Sequence, residues 1–258
     1  MRVPKSIRRF ADPLFERIPV PIVGGVNRGL WWNLASAGSG YASGGRAALQ
    51  MAYYVSLMKS GDVVWDVGAH HGYVTLCAAR QVGATGSVHA FEPSERNRRL
   101  LSRHVAWNGF TNVVIHPFAL SSYNGEATFG GMDTSKMLHL GGGTEPVEVR
   151  TADSLVASGA IPAPAFVKVD VEGAEAELLL GAGELLKKDV RLVIAMHSRE
   201  VYQQCEALLR TAGNALVESR ALTACANSAW PGDPDLYAAG PACSGEQREA
   251  TRLRAAGF

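Results

Sequence analysis

The chain has little of what marks several common protein classes. Four cysteines occur among 258 residues (Cys77, Cys205, Cys225 and Cys243), and no two form a Cys-x-x-Cys pair. That spacing excludes a disulfide framework and a zinc knuckle, and points to a reducing cytoplasm. Neither sign of charge is in excess: 25 Lys+Arg face 24 Asp+Glu, a formal net charge of +1. A protein that grips nucleic acid mainly through phosphates would be strongly basic. A disordered chain would combine low hydrophobicity with high net charge. Long apolar runs are lacking too. The stretch from Ile18 to Val26 is broken by Pro19, Pro21, Gly24 and Gly25, and is too short to span a bilayer. It follows a basic segment in which Arg2, Lys5, Arg8, Arg9 and Arg17 face Asp12 and Glu16. A secretory signal has a similar order of parts, but with a smoother helix and small residues at its cleavage site. A solvated lid or cap is the expectation; a membrane-surface or acidic-partner role is the alternative.

What is present suits one α/β domain, since 47% of the residues are hydrophobic and the length allows a large core. Residues 1–60 read as an irregular cap, turn-rich around Gly24 and Gly40, with a helix from Ala47 to Lys59. Strands and helices then alternate. Val63 to Gly68 is a nearly continuous apolar strand, as a sheet covered on both faces requires. The helix Tyr73–Val82 follows, then the strand Ser87–Glu92, a helix to Trp107, and a strand Asn112–Ala119. An insertion at about 124–150, glycine-rich from Gly130 to Gly143, is placed to loop over a pocket. Alternation resumes with the strand Ala165–Val171, a helix Ala174–Lys187, the strand Arg191–His197 and a helix Glu200–Ala212. Ala215–Arg220 and Leu236–Ala239 read as an edge hairpin, and 241–258 as a C-terminal tail whose last dozen residues form a charged helix. The fold class is therefore α/β, a doubly wound sheet. Ligands in such sheets bind beyond the carboxyl ends of the strands.

The residues closing each strand carry the chemistry. Asp66-Val-Gly68-Ala-His-His-Gly72-Tyr73 has the spacing Gly-x-x-x-Gly preceded by an acid, not the Gly-x-Gly-x-x-Gly of dinucleotide sites. Asp66 at the tip would repel a pyrophosphate but favour a ligand carrying an ammonium and a sulfonium. Glycine there lets a ligand approach with no Cβ in the way. Glu92, one βαβ unit on, can accept two hydrogen bonds from a ribose diol, or serve only as a helix N-terminal acid. Lys168, Asp170 and Glu172 alternate onto one side if their strand continues through them. His197 closes the neighbouring strand. His70 and His71 are adjacent, and adjacent residues rarely converge on one ion.

These segments resemble the FkbM-type S-adenosylmethionine-dependent methyltransferases: Asp66-Val-Gly-Ala-His-His-Gly-Tyr, His89-Ala-Phe-Glu-Pro-Ser-Glu-Arg-Asn97 with Trp107-Asn-Gly, and Phe166-Val-Lys-Val-Asp-Val-Glu-Gly-Ala-Glu175. The likeness runs from about Gly29 to Ala239, and the last string is its most specific part. It implies a seven-stranded Rossmann-like sheet, six strands parallel and one antiparallel, in a methyltransferase domain over 61–240. It also implies O-methylation of a hydroxyl on a sugar or polyketide-type natural product. By this resemblance Asp66, Gly68 and Gly72 cradle the methionine part of the cofactor, with Ala69 and Tyr73 beside them. Glu92 holds the ribose, with Pro93 and Asn97 beside it, and Ala119 and Leu120 lie near the adenine. Asp170, Glu172 and His197 face the methyl acceptor, and Asp170 also borders the cofactor. The chain departs from the family at His70-His71, where members often carry a small residue or Asn. It departs again at Gly45-Arg46-Ala47 and at Ala195, near which members often have Glu.

An in-line displacement needs alignment and a base near the acceptor hydroxyl. His197 is the first candidate because its unperturbed pKa lies near neutrality, and Asp170 is the second. Mg²⁺ held by Asp170, Glu172 and Glu175 is a lesser alternative, with Glu175 expected to turn away on its helix. Trp31, Trp32 and Tyr41 are candidate walls of the acceptor pocket, though the tryptophans could equally be core or a homodimer contact. The expected partner is a small-molecule hydroxyl acceptor, with no nucleic acid. An NAD-dependent oxidoreductase and a non-catalytic scaffold are the rival readings.

Overall fold

The computed structural model describes residues 14–36, 40–44, 48–130, 139–140, 144–219 and 235–241. A short antiparallel ribbon comes first, β1 (Pro19–Pro21) paired with β2 (Trp31–Asn33), followed by helix α1 (Ala48–Leu57). Then come β3 (Val63–Val67), α2 (Tyr73–Val82), β4 (Ser87–Phe91), α3 (Glu95–Trp107) and β5 (Val113–His116). The excursion after β5 supplies β6 (Ala119–Leu120), β7 (Gly125–Gly130), β8 (His139–Leu140) and β9 (Glu145–Arg150). The chain continues through α4 (Ala152–Ala157), β10 (Phe166–Val169), α5 (Glu175–Leu180), β11 (Arg191–Ile194) and α6 (Arg199–Thr211). It closes with β12 (Ala215–Ser219) and β13 (Asp235–Ala239).

Seven strands form the main sheet in the order β12-β13-β11-β10-β3-β4-β5. β13 runs antiparallel to both its neighbours and the other six strands are parallel, the arrangement the family resemblance implies. Side chains alternate across this sheet, so each strand feeds two cores. Val64, Phe166 and Val193 pack with α1 and α2 on one face. Trp65, Val167 and Ile194 pack with α4, α5 and α6 on the other. Burial on both faces explains why the central strands read as continuous apolar runs.

Several elements are shorter than the sequence suggests: β10 ends at Val169 and β11 at Ile194, so His197 lies three residues past its strand. Two others have a visible cause. The strand expected over Asn112–Ala119 stops at His116 because Pro117 has no N–H for the ladder. The chain then leaves the main sheet, and β6 joins a separate four-stranded sheet of order β6-β9-β7-β8. The helix expected over Ala174–Lys187 ends at Leu180, with only a 3₁₀ turn at Leu185–Lys187 beyond it. Gly181 lies against the Ser121 carbonyl, too close for any Cβ, and that contact fixes where the helix stops. Most of Gly130–Gly143, the first thirteen residues and the expected C-terminal helix fall outside the described residues.

Candidate active site

The carboxyl ends of β3, β4, β10 and β11 form one rim. At the first tip the Gly68 and Ala69 amides both donate to the Phe91 carbonyl, at 3.0 and 3.1 Å, tying the glycine loop to β4. Gly68 has φ 73°, and a Cβ there would collide with the Asp170 carbonyl oxygen. The glycine is thus required by the chain's own packing against the β10 tip, not only by ligand approach. Gly72, at φ 90°, opens α2 without any side-chain cap. The first amides of that ten-residue helix are therefore left for a ligand, and the positive end of its dipole suits a carboxylate. Behind Gly72, Tyr73 is buried, with burial pushing its hydroxyl up to about 12.

Asp66 does not face the ligand side as its place in the sequence suggests. It is fully buried, accepts a hydrogen bond from Thr75 Oγ1 at 2.6 Å, and pairs with Lys168 Nζ at 3.2 Å. The parallel register sets Lys168 directly beside Asp66. Lys168 also donates to the Gly68 carbonyl at 2.9 Å and lies 3.6 Å from Asp170. Burial alone would lower the lysine's pKa, but the carboxylates of Asp66 and Asp170 outweigh it and raise it.

Glu92 is also more enclosed than expected, at 4% exposure. Its carboxylate accepts from the His70 amide at 2.7 Å, the Ser94 amide at 2.9 Å and Asn97 Nδ2 at 3.3 Å. Burial raises its pKa against the effect of these donors. A carboxylate offers about four acceptor positions, so one remains for a ribose hydroxyl where the sequence reading has two. Pro93 is half-buried, its carbonyl accepting from Arg98, and Asn97 is buried on the first turn of α3. Ala119 and Leu120 are both buried, Leu120 within the main core. His116 lies beside Glu92, its carbonyl accepting from the Glu92 amide and its imidazole stacking on Phe91. Burial, with His89 and Arg150 nearby, pushes His116 down to about 4, so the ring is neutral.

The fourth and fifth tips converge. His197 Nε2 lies 3.4 Å from Asp170 and 3.5 Å from Glu172, while Nδ1 bonds Glu175 at 2.8 Å. Glu172 arrives by a route that strand alternation does not give: β10 ends at Val169, and Glu172 sits at φ 54°, which swings it back over the tip. Glu175 does not turn away. It is fully buried, and Oε1 also accepts from the Val171 and Gly173 amides, holding the turn together. Its Oε2 has no hydrogen-bond partner among the described residues. Burial lowers the His197 pKa, but the Glu175 hydrogen bond and the charges of Asp170, Glu175 and Glu172 outweigh it and push it up to about 9. The ring therefore holds its proton at neutral pH, and the free base expected from an unperturbed imidazole is not what the tip presents. Burial raises Glu172. One ligand atom from each of Asp170, Glu172 and His197 lies within 4.8 Å of the others, so the three could hold a metal ion.

The cap residues separate cleanly. Trp32 is fully buried, stacked on His104 at 3.8 Å and edge-on to Tyr73, so it belongs to the core and not to a pocket wall. Trp31 is exposed, and its backbone bonds the Asn108 side chain at the far end of α3. Thirteen helical residues, about 20 Å, divide that point from the strand tips, so Trp31 lies too far away to line the site. Tyr41 is half-buried and packs against Tyr73, next to the glycine loop. Sequence reasoning missed Glu175, Thr75 and Lys168 as the groups that hold the site together. A cue was available: a lysine in an otherwise apolar strand needs buried acids beside it.

Residues 66–221 match the Methyltransferase FkbM domain family. Hexuronic acid methyltransferase AglP of Haloferax volcanii is 31% identical over 146 residues, covering 54% of this chain and 58% of that protein. The chain thus spans under two thirds of the length of that relative. Among solved structures, methyltransferase FkbM from Methylobacillus flagellatus KT aligns with a TM-score of 0.49 at 16% identity, over 80% of this chain and 53% of that one. A SAM-dependent O-methyltransferase from Thermotoga maritima aligns at 0.47 and 16%, over 76% and 65%. With the family match covering more than half its length, and with the glycine loop, Glu92 and the Lys168-to-Glu175 string all inside the matched span, the chain belongs to the FkbM methyltransferase family.

Proposed function

We propose that the protein transfers a methyl group from S-adenosylmethionine to a hydroxyl of a sugar or glycoside-like small molecule. When bound, this cofactor supplies a methyl group already activated on a sulfonium. The observation that carries the reading is the pairing of the uncapped α2 N-terminus with the acidic tip of β10, in contact at Gly68 and Asp170. The helix end suits the carboxylate of a methionine moiety. Across the loop, Asp170, Glu172 and Glu175 face one imidazolium, leaving two net negative charges that suit a cation. Glu92 keeps one acceptor position for a ribose hydroxyl. Asp170, 40% exposed, accepts the hydrogen bond of the acceptor hydroxyl, and His197 holds Asp170 and Glu172 in place. The hydroxyl proton passes to Asp170 as the new C–O bond forms and the sulfonium C–S bond breaks, because His197 already holds a proton at neutral pH. The sugar acceptor is supported by the Haloferax relative, a hexuronic acid methyltransferase.

A divalent cation at Asp170, Glu172 and His197 is a second reading, favoured by Glu175 behind the ring, where a carboxylate orients metal-bound imidazoles. Such an ion would lower the pKa of the acceptor hydroxyl. Two oxygens and one nitrogen suit Mn²⁺ better than the Mg²⁺ expected from the carboxylates alone. The test is calorimetry with S-adenosylhomocysteine, followed by methyl-transfer assays on neutral glycosides and hexuronic acids, with and without chelator. Asp170→Asn should lower turnover at least 100-fold with little change in S-adenosylhomocysteine affinity. Absence of both binding and methyl transfer would overturn the proposal, and activity unchanged by chelator would remove the second reading.

A further inference from the structure

Away from the strand tips, the cap carries a surface that nothing above uses. Nine large apolar side chains are exposed among the described residues, and six of them (Leu14, Phe15, Ile18, Val23, Trp31 and Leu34) fall within residues 14–34. The ribbon joins two of these, the Leu34 amide bonding the Ile18 carbonyl at 2.9 Å, and carries Trp31 on its second strand opposite Pro21. Trp32 points into the core and its neighbour Trp31 points out, as adjacent strand residues must.

Charge is concentrated around this patch. Arg96, Arg99 and Arg103 recur at helical spacing on α3, and Arg96 and Arg103 both reach Glu16 beside Phe15. Among the described residues, 14–36 and 95–107 together hold six cations (Arg17, Arg28, Arg96, Arg98, Arg99 and Arg103) and two acids (Glu16 and Glu95), a net +4 on a chain of net +1. The rest of the chain is therefore net −3. An apolar patch carrying an exposed Trp and flanked by arginines matches a surface with anionic groups above and hydrocarbon beneath. Nucleic acid would use the arginines but has no place for protruding Leu14, Ile18 and Leu34. A second copy meeting this face across a two-fold axis would set the same arginine rows against each other.

We infer that the β1–β2 ribbon and the arginine face of α3 form a peripheral docking surface for an anionic lipid bilayer. The side chains rest at the headgroup boundary and do not span; no helix among the described residues is long and apolar enough to cross a membrane. This inference does not depend on the methyl-transfer proposal, and its test reads no activity.

The full chain is mixed with vesicles of pure phosphatidylcholine, or with 30% phosphatidylglycerol added, and binding is read by co-sedimentation. Binding is expected on the anionic vesicles, weakening as salt rises from about 0.05 M to about 0.5 M. Arg96→Gln/Arg99→Gln should weaken it about 25-fold, each basic side chain near such a surface contributing about fivefold. Trp31→Asp/Leu34→Asp should abolish it; all four positions are exposed, and an unchanged circular dichroism spectrum checks the fold of both variants. No binding to anionic vesicles at low salt, equal binding to both vesicle types, or binding undiminished in Trp31→Asp/Leu34→Asp would overturn the inference. So would a wild-type dimer that dissociates on Trp31→Asp while ignoring vesicles, or a preference for duplex DNA over lipid.

Discussion

Replacing Glu175 by Gln keeps the size and one acceptor oxygen behind His197 but removes the charge. In the wild-type protein, the gap between an unfolded pKa of 6.5 and a folded value of about 9 corresponds to about 3 kcal/mol. Because the folded value is the higher one, that stabilisation is fully present below pH 6.5 and is lost as pH rises through about 9. Glu175 contributes the closest of the three carboxylates, at 2.8 Å against 3.4 and 3.5 Å. A hydrogen bond between charged groups contributes about 1.5–3 kcal/mol, so Glu175→Gln should lower the His197 midpoint by about one to two pH units. Ring-carbon NMR titration, assigned with His197→Asn, reads this directly. Urea unfolding at pH 6 and pH 9.5 gives the complementary measure, with the wild type losing stability between them. A wild-type midpoint at or below 7, or one unmoved by Glu175→Gln, would refute the electrostatic account of this strand tip.

Three further outcomes are expected. Lys168→Met leaves Asp66 buried without its cation and should cost about 3–5 kcal/mol in urea unfolding, partly recovered by adding Asp66→Asn. Trp32→Ala should cost a similar amount, about 3–5 kcal/mol, with S-adenosylhomocysteine affinity unchanged; a substrate-wall residue would show the reverse. Gly68→Ala combines an unfavourable φ with a collision at the Asp170 carbonyl, so calorimetry should show S-adenosylhomocysteine binding weakened more than tenfold, about 1.4 kcal/mol.

The periodic elements were legible because their signals are local. Tyr73–Val82 lies between two glycines, and Ser94 caps α3 through its own side chain, so both helices follow from neighbouring residues. The antiparallel pairing of β12 with β13 was legible as an edge hairpin, but the insertion of β13 between β12 and β11 was not local. The acidic residues were read correctly as gathered at strand tips, but not which way each points. Asp66 turns inward because the adjacent strand brings Lys168 into register with it, a partner more than 100 residues away in sequence. Glu172 reaches His197 through a left-handed backbone that no alternation rule supplies. The expectation of a free His197 base at neutral pH left out three carboxylates, 22 to 27 residues away, that converge on the ring and keep it protonated.

Lys168 serves two neighbourhoods at once. Its ammonium holds the carbonyl of Gly68 in the loop that follows β3 and stands beside Asp170 on the opposite wall. Any occupant that draws Asp170 toward itself loosens the grip on that lysine and so re-tunes the loop. Whatever free-energy change the first guest imposes on the second, the second must return in equal measure. Order of arrival would then be a question for kinetics alone, while any mutual preference between two guests would pass through a single ammonium group.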